Sequence, residues 1–267
     1  MTDVTVGNST EWEPFAKRNP MFVERLPNLK NAFEAILSRR FTGDESVDTF
    51  IFVAGNMAID DFLEILTLCG NSEGYGATKI LRAMFERVVT LEYLHAHPDE
   101  YQRYYNYYWI TKRKMAIAIE QTFQKGLISP EQMKDIEDNY GKVKDDYKMT
   151  LCETCGTTRP GIAWSPTDMV TMAKKVGMEK QIVSCYYIPL DETHPNVKGM
   201  LDRVEIKDGR IVVKERLDRE MSDRVLASAQ LLALQALEVQ VEHFKLDPTV
   251  YKKVEQDFVD IWNLPQA

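Results

Sequence analysis

The sequence predicts a mainly α protein, a multi-helix bundle around a buried central helix with one small β-hairpin. Apolar residues recur at three- and four-residue steps over most of the chain, and only one stretch alternates about an Asp-Gly pair. Between Cys69 and His97 a glycine-punctuated loop feeds a helix carrying Ile80, Leu81, Met84, Phe85, Val88, Val89 and Leu91. These residues cover so much of its girth that neighbours must wrap it, which makes it the central helix. Arg82 and Glu86 stand one turn apart on one side of it, and if that side faces inward both charges must be paired or fully hydrogen-bonded.

The other elements follow in chain order. Residues 1–20 are polar, contain Pro14 and Pro20, and read as an irregular arm whose Trp12 and Phe15 tuck against the body; residues 21–267 read as a single helical domain. Phe22, Leu26, Leu29, Phe33, Ile36 and Leu37 keep helical spacing between Met21 and Arg40. Asp44 and Ser46 can cap a second helix from Val47 to Leu68, apolar on several sides, on which Asn56, Asp60 and Glu64 form a polar stripe at successive turns. That stripe lines a polar seam if it meets the Arg82 helix and is a solvated face if it does not.

Pro98, Asp99 and Glu100 open a helix running towards Lys125, with an aromatic run from Tyr101 to Trp109 followed by Lys112, Arg113 and Lys114. Aromatics beside basic residues can stack nucleobases, but helical packing accounts for them with fewer assumptions. Ser129, Pro130 and Gln132 read as a capping box. After the loop 151–165 a helix restarts at Ser165-Pro166 and ends at Gly177, and a short helical segment from Ile182 is expected to stop at Pro189. The hairpin, residues 203–214, turns on Asp208-Gly209. Two closing helices, Leu217 to Phe244 and Asp247 to Trp262, complete the chain.

Composition narrows the function classes. The chain has 267 residues, 44% hydrophobic content and a formal net charge of -8, enough for a sizeable core and opposed to a general phosphate-binding surface, so nucleic acid is a disfavoured partner. Four cysteines and no apolar leader after the polar start point to the reducing cytoplasm, and no stretch approaches the roughly 20 apolar residues of a membrane span.

Motif spacing excludes more than it assigns. A phosphate loop would need glycine where Tyr75 stands, and a dinucleotide fingerprint would need it at Lys79. The glycines from Gly70 to Gly76 therefore read as a helix-to-helix turn requiring small residues for positive φ and close approach. Cys152 and Cys155 have zinc-knuckle spacing without a second pair; Cys185 and His194 complete a ligand set only if the fold gathers them. Glu92-x-x-His95 is half of a di-iron pattern whose second half is missing, since Asp191-x-x-His194 carries aspartate. The expectation is therefore no metal and no cofactor. Ser184, Cys185 and His194 show no nucleophile elbow.

GATKILRAMFERVVTLEYL resembles the signature helix of the domain of unknown function 5677 family, where a small-residue turn leads into an Arg-x-x-x-Glu helix. AWSPTDMVTMAKKVG and the segment from Tyr186-Tyr187 to His194-Pro195 resemble that family's later tryptophan-led helix and its Tyr to His-Pro motif, so the similarity covers roughly Phe50 to Leu246. The resemblance implies a mostly helical protein of a kind widespread in bacteria, without an established activity, and it carries Arg82, Glu86, Tyr187 and His194 over as pocket residues. One departure is that Pro189-Leu190-Asp191 replaces the serine expected shortly before the histidine. A HEPN-type ribonuclease would need an arginine four to six residues before a histidine, and His95, His97, His194 and His243 all lack one.

These readings converge on a cytoplasmic binding or regulatory module for a small molecule or protein partner, with a polar pocket built from Asn56, Glu64, Arg82, Glu86, Tyr187 and His194. The rival reading is an enzyme acting on a small phosphorylated ligand or on RNA, with Arg82 holding the anion and His194 as acid or base.

Overall fold

A computed structural model of the chain describes residues 10–39, 46–122, 126–150, 158–161, 163–193, 197–213 and 218–262, most of them helical. The chain divides into two compact units, Met1–Ala96 with Met169–Ala267, and His97–Asp168. The first unit opens with α1 (Trp12–Arg18), formed within the stretch that reads from sequence as an irregular arm, and α2 (Pro20–Leu37). The long helices α3 (Val47–Gly70) and α4 (Gly74–Ala96) then run as a hairpin. Their turn takes its positive φ at Ser72, at 59°, rather than at a glycine. Ser72 is held there because its N–H donates to the Cys69 carbonyl at 3.0 Å and its hydroxyl to Glu11 at 2.7 Å.

The second unit contains α5 (Tyr101–Thr122) and α6 (Pro130–Val143). Ser129 caps α6 as its sequence predicts: its hydroxyl accepts from the Gln132 N–H at 3.1 Å while the Gln132 side chain accepts from the Ser129 N–H at 2.9 Å. Ile110, Val143 and Tyr147 form its buried cluster, with Tyr107, Trp109 and Tyr140 against them. A short antiparallel pair not foreseen from sequence, β1 (Lys148–Thr150) with β2 (Thr158–Pro160), closes this unit. Three-residue strands give too few alternating positions to stand out.

The chain returns to the first unit through α7 (Met169–Lys175) and a π-helical segment, Ile182–Tyr187, that runs into α8 (Ile188–Thr193). Pro189 therefore does not end the helix. Lacking an N–H and crowding the carbonyl one turn back, it favours a widened turn before it, and the helix continues past it. After α9 (Val197–Asp202), β3 (Val204–Lys207) and β4 (Arg210–Val213) form the expected hairpin, with Asp208 at φ 52° and Gly209 at φ 72° as a two-residue turn. Asp208 and Gly209 both adopt the left-handed region such a turn demands.

α10 (Arg219–His243) packs against both α3 and α4, and α11 (Thr249–Trp262) packs against α10 and α2. The core of the unit is this α3, α4 and α10 trio, in which Leu81, Met84, Phe85, Val88, Val89, Leu91 and Leu94 of α4 are all buried. α4 is the buried central helix that its composition predicts. Gly74 lets α10 approach, since a Cβ there would stand 2.8 Å from both the Met221 Cβ and the Ser222 backbone nitrogen. Asp218 caps α10, accepting from the Met221 N–H at 2.8 Å. No helix among the described residues is long and apolar enough to cross a membrane.

Candidate functional site

Arg82 lies on the side of α4 covered by the segment from Ile182 to Thr193. Its Nε donates to Glu86 Oε1 at 2.9 Å, and its guanidinium carbon sits 4.9 Å from the centroid of the Tyr186 ring. A planar cation over an aromatic face is an attractive arrangement. Its Nη1 reaches Thr193 Oγ1 at 3.4 Å, a long contact; that hydroxyl already donates to the Pro189 carbonyl at 2.8 Å and keeps lone pairs to receive the arginine. Tyr186 is fixed in turn by Phe85, with ring centroids 5.9 Å apart, and by Tyr187 at 5.5 Å.

The Arg82 side chain is 18% exposed and that of Glu86 40%, so the pair is anchored at the protein surface rather than sealed in the core. Among the described residues Nε makes the short hydrogen bond of this guanidinium and Nη1 the long one to Thr193. A cavity of about 150 Å³ opens between the same elements and α10, lined by Thr78, Leu81, Ser184, Ile188, Arg224 and Ser228. It offers hydroxyls and a second arginine on an apolar wall, the usual composition of a small-molecule site.

The six residues singled out from sequence fare differently. Arg82 and Glu86 come together directly, and Tyr187 joins them through Tyr186, with its own ring half-exposed. His194 lies outside the described residues. Asn56 donates its amide to the Phe52 carbonyl of its own helix at 2.8 Å, and Glu64 is exposed, as is Asp60. The seam between α3 and α4 is made instead by Asp61 and Arg87, 2.8 Å apart with side chains 15% and 26% exposed. Tyr186 and Thr193 are the partners that residue spacing alone missed. Thr193 carries no signal in the sequence, whereas Tyr186 could have been preferred over Tyr187 had the widened turn before Pro189 been foreseen.

Other sequence candidates take structural places. Cys185 is buried and 3.5 Å from the Ser184 hydroxyl, and burial pushes its thiol up, the opposite of an activated nucleophile. Cys152 and Cys155 lie outside the described residues. Within the second unit, Tyr104 packs edge-on to Trp164 at 5.3 Å and Tyr107 meets Tyr147 at 5.3 Å, while Lys112 sits 4.6 Å from the Trp109 ring and Arg113 pairs with Glu137 at 2.9 Å. That aromatic and basic run is largely spent on the unit's own packing.

A family of unknown function, DUF5677, matches residues 57–211, more than half of the chain, and the chain belongs to that family. The match begins within α3 and ends within β4, so it contains Glu64, Arg82, Glu86, Tyr186, Tyr187 and Thr193, while Asn56 and all of α10 lie outside it. No curated protein and no solved structure matches the chain.

Proposed function

We propose that this DUF5677 protein is a binding module for a small anionic ligand, held on the central helix with Arg82 as its anchor. One observation carries the reading: the Arg82 guanidinium is positioned on three sides, by Glu86, Tyr186 and Thr193, yet only one of its nitrogens makes a short hydrogen bond among the described residues. A guanidinium so oriented is suited to bidentate recognition of a carboxylate or phosphate. The exposed Tyr187 ring offers an apolar wall beside it, and the neighbouring cavity of about 150 Å³ with Ser184, Ser228 and Arg224 has room for a small group of such a ligand. A cytoplasmic setting suits the buried free thiols of Cys69 and Cys185.

The test is a thermal-shift screen of the full chain and its R82Q variant against phosphate esters, monocarboxylates and dicarboxylates. A ligand at a hundred times its Kd stabilises the fold by about 2.7 kcal/mol, well within what such a screen reads. At least one anion is expected to raise the Tm of the parent and not of R82Q. No shift with any member, or an equal shift in R82Q, would refute the anionic-ligand reading.

A further inference from the structure

At the opposite end of α4 from its glycine turn, two histidines meet that are 148 positions apart in sequence: His95 Nδ1 and His243 Nδ1 are 3.1 Å from each other, with ring planes inclined at 70°. Each stands in the last turn of its helix, His95 on α4 and His243 on α10, where the unpaired carbonyl ends favour a cation. Each also turns its outer nitrogen to a carboxylate. His243 Nε2 is 2.9 Å from Asp48 Oδ1 of α3, and His95 Nε2 is 3.7 Å from Glu242 Oε2.

The Asp48 contact sets the tautomer of His243. An ionised carboxylate only accepts, so the hydrogen of His243 belongs on Nε2, and a neutral ring then presents a bare lone pair at Nδ1. Glu242, at 3.7 Å, stands beyond hydrogen-bond distance of His95 Nε2, so the hydrogen of a neutral His95 can stand on either nitrogen. With both hydrogens on Nε2 the two bare Nδ1 atoms stand 3.1 Å apart and can converge on one cation, whereas with the His95 hydrogen on Nδ1 the same contact is an ordinary N–H···N hydrogen bond. Two histidine nitrogens bound to one ion at about 2.0–2.1 Å stand roughly 3.0–3.4 Å apart, and carboxylates on the outer nitrogens are the usual orienting partners of metal-bound histidines. Carboxylates flank both rings, with Asp48 of α3 on His243 and Glu242 of α10 beside His95, and Glu238 of α10 lies within electrostatic reach of Glu242.

We propose that His95 and His243 bind one nitrogen-preferring divalent transition-metal ion, zinc or copper(II), through their Nδ1 atoms, with water completing the coordination. Among the described residues no group of three or more His, Cys, Asp or Glu side chains is placed to hold a metal, so this is an open two-histidine site rather than a closed structural one. It departs from the metal-free expectation drawn from linear spacing. Glu92-x-x-His95 finds its partner histidine on α10, beyond the span matched by the family, instead of in a second Glu-x-x-His. Arg82 plays no part in it, so the site stands or falls independently of the anionic-ligand reading.

The experiment is calorimetric titration of chelator-treated full-length protein with zinc chloride and with copper sulfate, in parent, H95Q, H243Q, D48N and the double variant C152S/C155S. Circular dichroism checks each fold, and the electron paramagnetic resonance of the copper form counts coordinated imidazole nitrogens. About one ion per chain is expected in the parent and in C152S/C155S, with two imidazole nitrogens in the copper spectrum. Binding is lost in H95Q and H243Q, and D48N, which removes an orienting partner but no ligand, weakens it about tenfold. No uptake by the parent, which would leave a hydrogen bond between the two rings, overturns the proposal. So do binding that survives both histidine substitutions, uptake lost only in C152S/C155S, and a copper spectrum without nitrogen coupling.

Discussion

Asp61 of α3 and Arg87 of α4 face each other at 2.8 Å, while Asp60 and Glu64 of the same helix as Asp61 remain exposed to solvent. The pair is half-sheltered and ties α3 to the central helix, so losing the carboxylate leaves Arg87 partly desolvated. Asp61→Ala is expected to cost about 2 kcal/mol in urea unfolding, between the values for exposed and fully buried ion pairs. A loss below about 0.5 kcal/mol would place this pair with ordinary surface contacts.

Glu86 should behave differently. Its side chain is 40% exposed, and Arg82 keeps Tyr186 and Thr193 when Glu86 is removed. Glu86→Ala is therefore expected to cost under about 1 kcal/mol, with Arg82 free to find water. A cost of about 3 kcal/mol or more would mean that the guanidinium depends on Glu86 as a buried charge depends on its partner.

Gly74 is held to be glycine by contact rather than by backbone conformation. The added methyl of Gly74→Ala would meet the Met221 Cβ and the Ser222 backbone nitrogen at 2.8 Å, and neither can yield without moving α10. The expected loss is about 2 kcal/mol. By comparison Gly76→Ala, whose Cβ would meet nothing closer than 3.6 Å, should be neutral or slightly stabilising in denaturant melts.

Glu92 links stability to pH. Burial, with Glu238 and Glu242 nearby, raises its pKa from 4.5 to about 8, so the folded state takes up a proton there that the unfolded chain releases. Its contribution is complete below pH 4.5 and is lost as the pH rises through 8. Glu92→Gln should match the parent near pH 5 and exceed it by a few kcal/mol above pH 8, since every tenfold change in proton affinity between the folded and unfolded states is worth about 1.4 kcal/mol. Parallel Tm profiles for the two proteins across that range would show that Glu92 ionises freely in the fold.

The helices are legible in the sequence because their signals are local. Ser129 and Gln132 lie three residues apart and cap α6 whatever surrounds them, and Asp208-Gly209 sets the hairpin by its own backbone preference. What is not legible depends on partners distant in sequence. α3 is apolar on several sides, so its own pattern does not tell whether Asp60 and Glu64 or Asp61 will meet α4, and the path of α4 across it decides the matter. Pro189 reads as a stop because that is the commonest effect of proline, whereas here the turn before it widens and brings Tyr186 over Arg82. His95 and His243 are separated by 148 positions, and only the packing of α4 on α10 makes them neighbours.

The most direct measurement of Arg82 as an anchor is calorimetric titration of the anion giving the largest thermal shift into parent, R82K and R82Q. Lysine keeps the charge but loses the planar fork, so R82K is expected to bind about tenfold more weakly or worse, and R82Q to show no measurable heat. Equal affinities for all three proteins would contradict the anchor role of Arg82 and, with it, the assignment of this face of α4 as the binding site.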